Sequence, residues 1–214
     1  MRPVVCMITA PVSSTADEDG LIERIAAAAR AGVHLVQVRQ PQLDGLAAAR
    51  LVERAVGAVG GTTARIIVND RVDVAIAAGA HGVHLRGDSV AATRVKAVVP
   101  PAFVIGRSVH TSSEAVAAER TGGLDYLIFG TVFASRSKPG VAPAGVERLA
   151  EVCAAVALPV LAIGGITAGT MAAVAHAGAA GFAGIGLFTD ATIETMPDTI
   201  GRCVGAFDTP GALS

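Results

Sequence analysis

The sequence predicts an α/β fold, a (β/α)8 or TIM barrel in a single domain, and three observations predict it. Short β-branched runs alternate with alanine-rich stretches of helical length along all 214 residues, the mark of repeated βα units and a parallel sheet. Eight such runs occur, which suggests closure. The pairs Ala31-Gly32, Ala78-Gly79, Thr121-Gly122 and Ala177-Gly178 recur just before the even-numbered strands, where glycine ends a helix in the left-handed conformation.

The elements follow in order. Val4–Thr9, an apolar run behind Arg2 and Pro3, is the first strand, and Leu21–Ala31 the first helix, closed by Gly32. Leu35–Arg39 is strand two, followed by a long alanine-rich helix, Leu43–Val59. Strand three, Arg65–Val68, starts after Ala64 and leads into the helix Val72–Ala78, which Gly79 ends. Strand four is Gly82–Leu85, and its helix is Val90–Val98. Phe103–Gly106, after Ala102, is strand five, and Ser113–Arg120 the helix behind it. Tyr126–Phe129 is strand six, with a long loop before the helix Gly145–Ala157. Pro159 introduces strand seven, Val160–Ile163, and Ala168–Ala177 follows as a helix. Gly181–Ile185 is strand eight, and a last helix lies near Met196–Ala206. Residues 1–207 are expected to form the barrel and 208–214 a loose tail. The competing open doubly wound sheet would carry nucleotide-binding glycines after its first strand, and Ala10-Pro11-Val12-Ser13 has none.

Composition narrows the function classes. At 52% hydrophobic and 16% charged residues, the chain can bury a sizeable core. A formal charge of -1 with scattered basic residues argues against a nucleic-acid footprint. Cys6, Cys153 and Cys203 stand far apart in apolar contexts without metal-ligand spacing, and read as core thiols in a reducing compartment. The run Val4–Ile8 is too short for a signal-peptide core, and no stretch approaches the roughly 20 apolar residues of a membrane helix. The expectation is a soluble, cytoplasmic protein without membrane partners. Oligomeric state stays open, a homodimer included.

In such barrels the chemistry sits at the C-terminal strand ends, and those ends are rich in polar residues. Gln37 and Arg39 close strand two, with i, i+2 spacing that points both the same way. Asn69 and Asp70 close strand three, His84 and Arg86 strand four, and Arg107, Ser108 and His110 strand five. Strand six empties into Ser135-Arg136-Ser137-Lys138-Pro139-Gly140, with hydroxyls and cations suited to an anion. Strands seven and eight end in Gly164-Gly165 and Gly184-Ile185-Gly186, where backbone N–H groups can approach phosphate oxygens. Asp70 is a candidate Mg2+ ligand, because Mg2+ takes oxygen ligands and shares them with substrate phosphates. An ion pair with Arg71 or a cap on the helix at Val72 are its alternatives. Asp88 is a candidate second carboxylate, or with Ser89 an ordinary N-cap. His84 and His110 are candidates for acid–base work or for structural hydrogen bonds.

On these residues the chain resembles the thiamine phosphate synthase and thiazole tautomerase superfamily. Gln37-Val38-Arg39 is similar to its Gln-Leu-Arg segment, and Val68-Asn69-Asp70-Arg71-Val72-Asp73-Val74-Ala75 to its Asn-Asp-Arg-x-Asp-x-Ala motif. Gly82-Val83-His84-Leu85, Gly106-Arg107-Ser108-Val109-His110, Ser135-Arg136-Ser137-Lys138 and Ile163-Gly164-Gly165-Ile166 match further segments. The resemblance implies a barrel that couples hydroxymethylpyrimidine pyrophosphate to hydroxyethylthiazole phosphate with Mg2+, releasing pyrophosphate. It implies Arg39, Asn69 and Lys138 on the pyrophosphate, Asp70 on the metal and Ser108 near the pyrimidine or pyrophosphate. Ser135, Ser137, Gly164, Gly165, Gly184, Ile185 and Gly186 would hold the thiazole phosphate, with Gln37, His84 and His110 completing the substrate-facing set. The chain departs from the synthase pattern at Gln40 and Pro41, where an acidic residue and a lysine are usual. It also has Ser89 at the second metal-ligand position, with Asp88 one residue before. A tautomerase acting on a thiazole carboxylate phosphate, and a non-catalytic phosphate-binding member, are the alternatives. The tautomerase branch carries its histidine where this chain has Thr131.

Overall fold

A computed structural model of the chain describes residues 2–136 and 140–208. Eight parallel strands close in sequence order into a barrel, β8 pairing back onto β1. They are β1 Val4–Ile8, β2 Leu35–Val38, β3 Arg65–Asn69, β4 Gly82–Leu85, β5 Val104–Val109, β6 Tyr126–Gly130, β7 Val160–Ile163 and β8 Gly181–Gly184. The helices are α1 Thr15–Arg30, α2 Gly45–Ala58, α3 Val72–Ala77, α4 Ala92–Lys96, α5 Ser112–Thr121, α6 Val146–Ala155, α7 Met171–His176, α8 Gly186–Thr189 and α9 Met196–Asp208. The four helix-ending glycines at 32, 79, 122 and 178 all have positive φ.

Two apolar layers hold the barrel together. Inside it, Cys6, Ile8, Leu35, Ile67, Ile128 and Leu161 pack across the axis. Outside, alternate strand residues such as Val36, Ile66, Ile105 and Phe182 pack against the helices. Both faces of each strand are therefore buried, which is why the sequence shows continuous apolar runs rather than alternation. Gly106 has a specific interior role. A Cβ there would fall 2.2 Å from a Tyr126 ring carbon, so the missing side chain on β5 is what lets the Tyr126 ring cross the barrel.

Several elements differ from the sequence expectation. α1 starts six residues before Leu21, because the Ser14 side chain accepts from the Asp17 N–H and caps a polar first turn. β5 continues past Gly106 to Val109, its polar residues paired with β6. α8 is an additional single helical turn directly after β8. The Asp88-Ser89 pair does not cap α4, whose N-cap is Ala91 without a side-chain bond. Asp208 closes α9. Histidines at the opposite end do structural work: His34 Nδ1 accepts from Val5 N at 3.1 Å, and His81 Nδ1 from Ile66 N at 3.0 Å.

Candidate active site

Two of the cavities at the strand ends share Ile163 and Ile185. The first, about 790 Å3, gathers Gln37, Arg39, Asn69, Asp70, His84, Arg86, Asp88, Ser108 and His110. The second, about 910 Å3, is lined by Ser135, Arg136, Gly164, Gly165, Gly184, Ile185 and Gly186. The fold thus brings residues 37 to 110 into one half of the mouth and the glycine turns into the other. Ser137 and Lys138 lie outside the described residues.

Polar side chains form the floor of the first cavity. Gln37 is buried and donates from Nε2 to Asn69 Oδ1 at 2.8 Å. Its own Oε1 is buried without a hydrogen-bond partner, an acceptor whose desolvation is uncompensated until a donor arrives. His84 lies 2.9 Å from Ser108 Oγ through Nε2 and 3.2 Å from Tyr126 Oη through Nδ1. Burial, with the nearby Arg107 charge, lowers the His84 pKa to about 3. The ring is therefore neutral near pH 7 and orients hydroxyls rather than exchanging protons with solvent. Tyr126, which backs this pair, escaped the sequence reading; the signal was the glycine opposite it in β5. His110 Nδ1 bonds the Gly130 carbonyl at 2.8 Å, so that nitrogen carries the hydrogen.

Asp70 is held in an unusual way. Its φ of 63° lies in the left-handed region, which aspartate tolerates better than most residues. Its N–H donates to the His84 carbonyl at 2.9 Å. Its carboxylate accepts from the Ser89 hydroxyl and stands 3.8 Å from the Arg86 guanidinium. Arg71 turns away to Asp73, at 2.6 and 2.8 Å, so the expected alternatives for Asp70 are not realised. Asp88 pairs with Arg86 at 2.8 Å and its side chain is 73% exposed. Ser89, rather than Asp88, is the β4-loop residue against Asp70. Among the described residues no three acidic, histidine or cysteine side chains gather around one point. One carboxylate with an adjacent hydroxyl still suits Mg2+, which commonly takes one or two carboxylates and completes its shell with water and substrate phosphates.

In the second cavity the glycines are required by packing. A Cβ on Gly164 would lie 2.4 Å from Thr131 Cγ2, and one on Gly165 2.4 Å from the Ala134 carbonyl. The loop leaving β6 is thereby pressed onto the β7 turn. Arg136 crosses to pair with Asp190, just past α8, and its side chain stays 84% exposed. Arg24 of α1 donates to the Phe188 carbonyl at 2.7 Å and to that of Ala191, fixing the same turn from behind. Gln40 donates to Ala10 O at 2.8 Å and accepts from Val12 N at 2.9 Å, lashing the β1 and β2 loops together.

Comparison with known proteins gives the geometry its context. A family model described as thiamine monophosphate synthase matches residues 5–188. The chain is 40% identical over 183 residues to the thiamine-phosphate synthase of Roseiflexus castenholzii, covering 85% of this chain and 79% of that one. It is 44% identical over 159 residues to that of Methanoculleus marisnigri, covering 73% and 74%. Its fold matches a thiamine phosphate pyrophosphorylase from Pyrococcus furiosus with a TM-score of 0.82 and 26% identity, over 96% of this chain and 97% of that one. Motif, barrel and relatives agree from the first strand into α8: the chain belongs to the thiamine monophosphate synthase family.

Proposed function

We propose that the protein is a thiamine-phosphate synthase, a transferase that joins hydroxymethylpyrimidine pyrophosphate to hydroxyethylthiazole phosphate. The observation that carries this reading is the pair of cavities meeting at Ile163 and Ile185. Two phosphorylated substrates could then face each other across a short gap. The thiazole nitrogen lone pair forms the new bond to the pyrimidine methylene carbon, and the carbon–oxygen bond to pyrophosphate breaks. Positive charge builds on the pyrimidine and negative charge on the leaving group, so fixed charges around the leaving group lower the barrier.

In this reading Gln37 Oε1 receives an N–H of the pyrimidine, and Ser108, set by neutral His84, lies beside it. Arg39 and Asn69 bind the pyrophosphate. Asp70 would hold Mg2+, with Ser89 adjacent; the chemistry that Mg2+ supplies is neutralisation of the departing charge. Asp88 stays with Arg86 at the rim. Ser135 and the turns at Gly164, Gly165, Gly184, Ile185 and Gly186 bind the thiazole phosphate; Ser137 and Lys138 join them on sequence grounds alone. Thr131, where the tautomerase branch has its histidine, is buried against Gly164, which favours the synthase reading. Three free thiols support a reducing, cytoplasmic setting; no described helix is long and apolar enough to cross a membrane.

The test is direct. Purified protein with both phosphorylated precursors and Mg2+ forms thiamine phosphate, and Arg39→Gln and Asp70→Asn each lower kcat/KM by about 10- to 150-fold, the worth of one charged hydrogen bond. Absence of product at high enzyme concentration overturns the reading.

A further inference from the structure

Arg107 was expected in the barrel mouth, and the structure puts it elsewhere. On β5, Ile105, Arg107 and Val109 share the face that packs outward toward the helices, with Ile105 and Val109 buried. Ser108 alone of 107 and 108 lines the central cavity. The Arg107 guanidinium reaches across to the loop after β4 and donates to three of its carbonyls: Gly87 at 3.0 Å, Ser89 at 3.4 Å, and Val90. Partial burial holds its pKa below the usual arginine range, a cost that an apolar side chain on this face would avoid.

The loop it grips has few other anchors. α4 begins without a side-chain cap. Inside the loop, Ser89 N bonds Arg86 O at 3.3 Å, and the Ser89 hydroxyl accepts from Arg86 N at 2.9 Å. That same hydroxyl donates to Asp70. A continuous path therefore runs from the Arg107 fork through the Gly87–Val90 carbonyls to Ser89 and on to the Asp70 carboxylate. A lysine offers a compact point charge and cannot span three carbonyls as a planar guanidinium does.

We propose that Arg107 is a positioning residue for Asp70: by pinning the Gly87–Val90 loop it fixes the Ser89 hydroxyl against the Asp70 carboxylate. What Asp70 then does with Mg2+ and pyrophosphate rests on the proposed function; the coupling of Arg107 to Asp70 does not.

The experiment uses Arg107→Met, which fills similar space, with Arg107→Lys, Ser89→Ala and the Arg107→Met/Ser89→Ala double variant. Three quantities are read: amide hydrogen exchange at residues 86–91, the Asp70 13Cγ resonance without ligand, and calorimetric affinity for inorganic pyrophosphate with Mg2+. In Arg107→Met the loop amides exchange faster and the Asp70 resonance moves. Pyrophosphate binding weakens by about ten- to hundredfold, as when a metal ligand loses its supporting contact. Arg107→Lys falls between. With Ser89→Ala already present, Arg107→Met changes neither the Asp70 resonance nor the affinity further. Equal effects of Arg107→Met in both backgrounds, or an unmoved Asp70 resonance, overturn the inference. Should Arg107→Met fail to fold, Arg107→Lys in the two backgrounds decides by the same comparison. If the wild-type protein binds no pyrophosphate, the proposed function fails, and the ligand-free resonance and exchange still judge Arg107.

Discussion

Asp70 carries both a left-handed backbone and the charge assigned to the chemistry, and two substitutions separate these. Asp70→Ala and Asp70→Gly remove the same carboxylate, but only glycine adopts a φ of 63° without a Cβ penalty. Both variants should be inactive, while Asp70→Gly resists urea better than Asp70→Ala by about 1 kcal/mol. His84 gives a pH signature. Its folded pKa is depressed to about 3 from 6.5, so above pH 6.5 the ring is neutral in both folded and unfolded chains. As pH falls below 6.5 the unfolded chain takes up a proton that the folded one refuses, and stability drops by up to about 1.4 kcal/mol per unit until near pH 3. Denaturation curves across that window should show a steeper acid loss in the wild type than in His84→Gln. The residues themselves were readable at the strand ends. That His84 serves Ser108 and Tyr126 was not, because its partners lie 24 and 42 positions away.

At the scale of elements, β5 and β6 show how one glycine organises a site. The Tyr126 ring occupies the space over Gly106 and reaches His84 from there. Gly106→Ala should cost about 1–3 kcal/mol in chemical denaturation through overpacking, and much less in a Tyr126→Leu background, since the two residues share one volume. The β7 turn follows the same logic with Thr131 and Phe133 pressed onto Gly164 and Gly165. Strand positions were predicted to within a few residues because apolar runs and glycine stops mark them. α8 was missed because four residues, Gly186–Thr189, are too few to show a helical period.

For the whole molecule, the two joined cavities make a prediction about linkage. If pyrophosphate and thiazole phosphate occupy separate halves, each at a hundred times its Kd stabilises the fold by about 2.7 kcal/mol. Together they should raise the thermal midpoint by nearly the sum of their separate shifts; a combined shift no larger than the better single one would mean that they compete for one site. By itself the sequence determined the eightfold βα order, the closed barrel and the crowd of polar groups at one end, since these follow from local apolar runs, helix-ending glycines and the chain direction shared by all parallel strands. Only the tertiary structure decided that Arg107 faces the helix layer, that Ser89 rather than Asp88 meets Asp70, and that Gln37 keeps an unpaired buried oxygen. A parallel strand is buried on both sides, so its sequence does not reveal which alternate residues point inward, and the loop that carries Ser89 takes its shape from an arginine some 18 positions further along the chain.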